Sequence, residues 1–197
     1  MSSEKPLWQP SQARIAGAHV TAFARAAIRE WGLGFNTYPE FYQWSVDRPE
    51  QFWQSLWQYA SVKAETRGAR VLVHGEQMPG AQWFPDARLN FAENLLRRQD
   101  SADAMVFWGE DKVRRRLSHA QLRIAVSRLA QALRAAGVQA GDRVAAYMPN
   151  LPETMIAMLA SASIGAVWSS CSPDFGVQGV LDRFGQIEPK VLFAADG

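Results

Sequence analysis

The segment from Ser170 to Gly176 gathers hydroxyl, thiol and carboxylate side chains in one short stretch. It follows a mostly apolar run typical of a buried strand and precedes a run with helical spacing. Open α/β sheets bind ligands at the carboxyl ends of their strands, and helix N-termini favour anions. This loop is therefore the best candidate for a ligand contact, although Asp174 would repel a phosphate that touched it. A capping or packing role is the alternative.

Cys171 lies in the same loop and is the single cysteine of the chain. A helix N-terminus can lower the pKa of a thiol, but no histidine or other base is paired with it in the sequence. We therefore favour a small buried residue over a nucleophile. One cysteine and three histidines in separate elements (His19, His74, His119) form no zinc pattern, so we assign no metal ligand.

A second loop, Met148–Asn150, follows another strand-like run and could also face a ligand. Its alternative role is to cap the next helix through Asn150, with Pro152 in the first turn, where its missing N–H is not needed. The sequence contains neither G-x-x-x-x-G-K-[ST] nor G-x-G-x-x-G, the glycine-rich patterns that cradle phosphates.

The elements that position both loops alternate between strand and helix patterns. Strands are predicted at Arg143–Met148, Ala166–Ser170 and Lys190–Ala195. One helix ends near Gly165, and a second covers Val177–Gln186. With right-handed crossovers, this β-α-β-α-β order predicts three parallel strands.

Upstream of these elements, a strand pair is predicted at Ala104–Trp108 and Val113–Leu117, around a turn at Gly109–Asp111. A helix then begins at a capping box on Ser118 and stops at Gly137.

Six of the eight tryptophans lie before residue 84, in a region with the spacing of short amphipathic helices. One helix is predicted at Ile15–Trp31, and two more within Tyr38–Ala60, where the chain restarts at Ser45. A strand is predicted at Ala69–Val73, and a further helix from Asn90 to about Arg98. We assign the aromatic side chains to core packing rather than to a ligand. The composition changes near residue 100, so we predict two domains, 1–100 and 101–197, with a boundary around Arg98–Ala104.

The 197-residue chain has 48% hydrophobic and 20% charged residues and a formal net charge of +2. This composition is typical of a soluble globular protein rather than of a nucleic-acid binder. The basic residues within 112–116 are interpreted as a solvated strand edge. The uncharged run Thr154–Pro173 could span a bilayer, but its residue types favour a buried helix followed by a buried strand. We expect a cytoplasmic protein without signal peptide or membrane partner.

Three segments carry distinctive motifs: Trp83-Phe-Pro-Asp-Ala-Arg-Leu-Asn-Phe-Ala-Glu-Asn-Leu-Leu, then Gly141-Asp-Arg-Val-Ala with Met148-Pro-Asn-Leu-Pro-Glu, and Gly165-Ala-Val-Trp-Ser-Ser-Cys-Ser-Pro-Asp-Phe-Gly. They resemble the acyl-CoA synthetases, a family of adenylate-forming ligases. The third segment, with 180–192 after it, is most similar to the acetoacetyl-CoA synthetase branch. Asp86 departs from the family, whose members often carry a small residue there.

The resemblance implies an α/β fold. A helical, Trp-rich N-terminal cap would precede the first, incomplete β-α-β-α-β portion of an adenylate-forming core with a parallel sheet. It implies a ligase that joins acetoacetate to CoA and cleaves ATP to AMP and pyrophosphate through an acyl-adenylate, with Mg²⁺ at the phosphates. In related synthetases the matching loop lies near the CoA nucleotide. The residues expected on the CoA side are Ser172, Pro173, Asp174 and Gly176.

The family's phosphate loop, nucleotide motifs and C-terminal lysine all lie downstream of a position such as Gly197. The strand Lys190–Ala195 also lacks a following helix to cover it. We therefore expect an N-terminal portion that is inactive alone, and assign no catalytic residue. Its expected partners are the small-molecule substrates and the remainder of its own adenylation and C-terminal domains. Two alternatives stay open: a synthetase for acetate or propionate, and a stand-alone α/β module that docks a partner through its Trp-rich half.

Overall fold

The computed structural model describes residues 7–110 and 112–196, which fall into two compact units. The first unit ends at Leu89 and the second begins at Asn90. This division precedes the boundary predicted around Arg98–Ala104, because Ala92 already belongs to the core of the second unit. The separation of 1–100 and 101–197 as domains stays a prediction.

Four helices build the first unit: α1 (Gln12–Ala16), α2 (His19–Trp31), α3 (Tyr38–Asp47) and α4 (Pro49–Tyr59). The continuous helix predicted over Ile15–Trp31 is wrong, since the chain breaks at Gly17, a poor helix former. The restart near Ser45 is also wrong. Pro49 occupies the first turn of α4, the position that proline favours, so the break falls at Arg48. Gly32 ends α2 with a left-handed φ of 65°, as predicted.

Aromatic rings fill the core of the first unit. Its buried members are Phe23, Ala27, Phe41 and Trp44. The ring of Phe23 meets Phe41 and Phe52 edge-on, at centroid distances of 5.8 and 5.7 Å. The core-packing interpretation is confirmed for these rings. Trp53 and Trp83 contact each other at 5.6 Å but remain 42% and 44% exposed.

A short antiparallel pair, β1 (Leu72–Val73) and β2 (Gln82–Trp83), follows the helices. The strand is shorter than the predicted Ala69–Val73. Nearby, Arg70 Nε donates to Asp86 Oδ2 at 2.9 Å. The side-chain hydrogen bond from Arg70 holds the pKa of Asp86 below its usual value. Asp86 therefore fixes this turn through an ion pair that a small residue could not form.

The second unit follows the predicted order of elements closely. It contains α5 (Phe91–Leu95), the hairpin β3 (Asp103–Gly109) and β4 (Val113–Ser118), α6 (His119–Ala135), β5 (Arg143–Tyr147), α7 (Pro152–Ser163), β6 (Val167–Cys171), α8 (Val177–Ile187) and β7 (Val191–Ala194). The capping box of α6 is confirmed: Gln121 N donates to Ser118 Oγ at 3.2 Å, and Ser118 N donates to Gln121 Oε1 at 2.9 Å. Helix α5 stops well before the predicted Arg98, and Asp111 of the predicted turn lies outside the described residues.

The three strands β6, β5 and β7 form a parallel sheet with β5 at its centre, which confirms the predicted α/β class. Neighbouring residues of β5 point to opposite faces, as in any strand. Val144 joins the core that α6 and α7 cover, whereas Ala145 joins Phe184 of α8. Helices therefore lie on both faces of the sheet.

The run Thr154–Pro173 is divided between helix α7 and strand β6. The predicted helix is confirmed, with five buried residues, but the buried strand is wrong. Strand β6 lies at the edge of the described sheet, and only its Cys171 is buried. Among the described helices, none has the length and apolarity that crossing a membrane requires.

Candidate functional site

The loops after two neighbouring strands of the sheet leave toward opposite faces. Strands β5 and β6 are adjacent and end together at the pair Tyr147 and Cys171. The loop after β5 leads to α7 on one face, and the loop after β6 leads to α8 on the other. In open α/β folds, ligands bind at the carboxyl ends of the strands. Both loops singled out in the sequence lie at this edge of the sheet.

The loop after β6 forms a compact turn that brings together the four predicted residues Ser172, Pro173, Asp174 and Gly176. Ser172 Oγ donates to Asp174 Oδ2 at 2.8 Å, and Phe175 N donates to Ser172 O at 3.1 Å. All residues of the loop are exposed. The serine hydroxyl thus holds the Asp174 carboxylate within the turn.

Helix α8 begins at Val177, after Gly176 as its N-cap, and no side chain caps it. The helix therefore begins at Val177, as predicted. A Cβ added at Gly176 would meet no atom within 4 Å. A helix N-terminus carries partial positive charge and free backbone N–H groups. This end of α8 is consequently open to an approaching group.

Three side chains at this loop were not predicted from the sequence. The hydroxyl of Tyr147, at the end of β5, lies 2.8 Å from Pro173 O and 3.2 Å from Phe175 O. The guanidinium of Arg183, in α8, lies over the ring of Phe175 at 4.2 Å. The contacts of Tyr147 depend on the pairing of β5 with β6, which the sequence pattern alone does not specify.

In the loop after β5, a proline rather than an asparagine determines where helix α7 begins. The N-cap of α7 is Leu151, not the predicted Asn150, and no side chain caps the helix. Pro152 at the start of α7 forces the residue before it into an extended conformation, which makes Leu151 the boundary. Thr154 Oγ1 donates to Pro149 O at 2.7 Å and holds the turn.

Cys171 is buried at the end of β6 and packs with Ala145 and Phe184. A buried thiol in apolar surroundings is inert, which favours the packing role over a nucleophile. No group of three or more His, Cys, Asp or Glu side chains is placed to hold a metal ion in residues 7–110 and 112–196.

The basic residues of β4 are engaged locally. Arg115 NH2 donates to Glu153 Oε1 at 2.5 Å, and Arg116 pairs with Asp103. The guanidinium of Arg114 lies 4.6 Å from the ring centroid of Trp108. These contacts agree with a solvated strand edge.

Two protein-family models match the chain. The AMP-binding enzyme model matches residues 91–197, and the acetyl-coenzyme A synthetase N-terminus model matches residues 38–95. The two matches meet at α5, near the division between the compact units.

Known proteins match over nearly the whole chain. It is 53% identical over 197 residues to the acetoacetyl-coenzyme A synthetase of Rhizobium meliloti (strain 1021), covering 100% of this chain and 30% of that protein. It is 39% identical to the acetoacetyl-CoA synthetase of Gallus gallus, covering 96% of this chain and 29% of that protein. A malonamoyl-CoA synthetase of Penicillium aethiopicum is 36% identical, with 96% of this chain and 27% of that protein covered.

The solved structure of an acetoacetyl-CoA synthetase from Streptomyces lividans matches with a TM-score of 0.92 at 45% identity, covering 98% of this chain and 30% of that one. The chain thus spans about 30% of the length of its relatives. Since the AMP-binding enzyme model covers more than half of the sequence, and since the parallel sheet and its helices follow a solved relative, the chain belongs to the AMP-binding enzyme family.

Proposed function

We propose that this chain is the N-terminal portion of a ligase that joins acetoacetate to CoA. The observation that carries the proposal is the 53% identity, over all 197 residues, to an acetoacetyl-coenzyme A synthetase. The identity includes the segment from Gly165 to Leu192, where the sequence resembles the acetoacetyl branch more than the acetyl branch. A cytoplasmic location fits a chain with a single, buried cysteine.

The proposed reaction has two steps. A carboxylate oxygen of acetoacetate attacks the α-phosphorus of ATP, which forms acetoacetyl-adenylate and displaces pyrophosphate. The sulfur of CoA, having lost its proton, then attacks the acyl carbon, and AMP leaves with the electrons of the broken C–O bond. Negative charge builds on the phosphorus in the first step, so this step requires hydrogen-bond donors and cations aimed at the phosphates.

Mg²⁺ is part of the proposal as the counter-charge that ATP phosphates carry in such ligases. The described residues offer no cluster of metal-binding side chains. We therefore assign no residue of this chain to the metal.

The role proposed for this chain is to form one side of the CoA site, through Ser172, Pro173, Asp174 and Gly176. Three features of the second unit support it. The loop lies at the carboxyl edge of the parallel sheet, the start of α8 is exposed at Gly176 and Val177, and a serine hydroxyl holds the Asp174 carboxylate within the turn. Backbone N–H groups at the start of α8 could thus meet a CoA phosphate or pantetheine carbonyl.

Malonamate is a second candidate substrate, because a malonamoyl-CoA synthetase is 36% identical to this chain. Malonamate is acetoacetate with an amino group in place of the terminal methyl. Both acids share the carbonyl group next to this position. A pocket that binds this carbonyl could therefore distinguish the two acids only by whether it accepts the hydrogen-bonding amino group or the methyl group.

The test uses the complete protein that contains these residues. Acetoacetate, malonamate, acetate and propionate are compared, each with ATP and CoA, by the rate of AMP and acyl-CoA formation. We expect kcat/KM for acetoacetate to exceed that for acetate at least tenfold, about the discrimination that one or two buried contacts provide. The 197-residue chain alone is expected to form no product.

Equal or faster turnover of acetate would contradict the acetoacetate assignment, and faster turnover of malonamate would replace it. No acyl-CoA formation with any of the four acids would overturn the ligase itself.

A further inference from the structure

The CoA-side loop is attached to the neighbouring strand by a side chain of that strand. Strands β5 and β6 end at the paired residues Tyr147 and Cys171, and Met148 N continues the pairing by donating to Cys171 O at 3.2 Å. Beyond this point the loop leaves the sheet. Its residues are exposed, so their conformation depends on a few contacts.

Tyr147 provides one of these contacts. Its ring packs against the apolar cluster of Ala145, Cys171 and Phe184, between the sheet and α8. Its hydroxyl lies 2.8 Å from Pro173 O and 3.2 Å from Phe175 O. A phenol has one proton to donate, so the two carbonyls share it. Because the ring is held in the core while the hydroxyl reaches the loop, Tyr147 links the rigid centre of the sheet to the exposed turn.

The other side of the loop is held by α8, where the guanidinium of Arg183 stacks on the ring of Phe175. The loop therefore has one attachment to β5 and one to α8. Removal of the first attachment leaves the second in place. We expect such a change to widen the range of loop conformations without unfolding the unit.

We propose that Tyr147 is a positioning residue that holds the Ser172–Gly176 loop in the conformation that receives CoA. This inference rests on the proposed function of that loop. Tyr147 touches neither acetoacetate nor ATP in this scheme, and it acts only through the backbone of the loop. Its removal should therefore affect the thioester-forming step and spare adenylation.

The test is Tyr147→Phe in the complete protein, which keeps the ring in the core and removes only the hydroxyl. We expect KM for CoA to rise about fivefold, the change that one lost neutral hydrogen bond produces. Acetoacetate-dependent exchange of pyrophosphate into ATP, measured without CoA, should stay within about twofold of wild type. Melting temperatures are measured in parallel, and a small change is expected for a variant that retains its packing.

Tyr59→Phe is the matched control. The Tyr59 hydroxyl also donates to a backbone carbonyl, His19 O at 3.2 Å, but in the first unit. We expect it to leave both half-reactions unchanged.

The outcomes separate this inference from the function on which it rests. If wild type forms no acetoacetyl-CoA, the proposed function fails. If wild type is active and Tyr147→Phe binds CoA with an unchanged KM, the positioning role is wrong. An equal loss in both half-reactions would also overturn it, because a general structural defect does not distinguish CoA from ATP.

Discussion

Replacing Phe23 with alanine is expected to lower the free energy of unfolding of the first unit by about 3–5 kcal/mol. The ring is 5% exposed and lies at the centre of the aromatic core. It contacts Phe41, Phe52 and Tyr59 at centroid distances of 5.8, 5.7 and 5.2 Å. The substitution removes these ring contacts and leaves a cavity, so the folded state loses both transfer free energy and packing.

The measurement is urea unfolding of the 197-residue chain, followed by tryptophan fluorescence. Two controls frame the result. Phe23→Leu keeps most of the volume and should cost less than about 1.5 kcal/mol. Val20→Ala removes carbons from a residue on the same helix that is 47% exposed, and should change stability by less than about 0.5 kcal/mol. A cost for Phe23→Ala no larger than that for Val20→Ala would contradict the aromatic core.

Gly68→Ala is expected to destabilise the turn between α4 and β1 by about 2–5 kcal/mol, from two separate causes. Gly68 has a φ of 75°, in the left-handed region that costs other residues about 1–2 kcal/mol. An added Cβ would also lie 2.3 Å from the Cβ of Asp86, which no side-chain rotation can relieve. The ion pair with Arg70 holds Asp86 in place, so the backbone must move.

The two causes can be separated by matched variants. Gly141 has a φ of 86°, but an added Cβ there meets nothing within 4 Å. Gly141→Ala should therefore show the conformational cost alone. Adding Asp86→Gly to Gly68→Ala should recover the part due to the close contact. All variants are compared by thermal unfolding, and equal costs for Gly68→Ala and Gly141→Ala would show that Asp86 does not press against Gly68.

The contacts of Asp86 also explain why this position departs from the family pattern. Asp86 stands where members of the family often carry a small residue, and here it packs against a glycine and pairs with Arg70. The resemblance to the family identified position 86 as unusual. Its partner Arg70, however, lies 16 residues away in the sequence, and only the fold brings the two side chains together.

Local signals predicted the second unit well. The capping box at Ser118, the glycine at 137 and the alternation of strand and helix patterns correctly gave α6 and the parallel sheet. Where the predictions fail, a nearby proline or glycine sets the boundary of the helix. Pro152 places the N-cap of α7 at Leu151 rather than at Asn150, and the first predicted helix breaks at Gly17.

The sequence predicted the position of the candidate site in the chain but not the side-chain contacts that hold it. The loop after β6 could be found because apolar strand residues precede it and helical spacing follows. The role of Tyr147 could not, since strand alternation places its ring on the α8 face without showing that its hydroxyl reaches Pro173 O. Contacts of this kind depend on strand register, which a single sequence does not specify.

The central claim is that the Ser172–Gly176 loop, at the carboxyl end of β6, meets CoA. The most direct measurement is amide hydrogen exchange on the complete protein, after incubation with acetoacetate and ATP, with and without a non-reactive CoA thioether. We expect CoA to slow exchange in peptides covering 172–178, because bound ligand shields exposed N–H groups. Exchange in peptides covering α2 should stay unchanged. Unchanged exchange over 172–178, with the CoA analogue bound at saturating concentration, would contradict the claim.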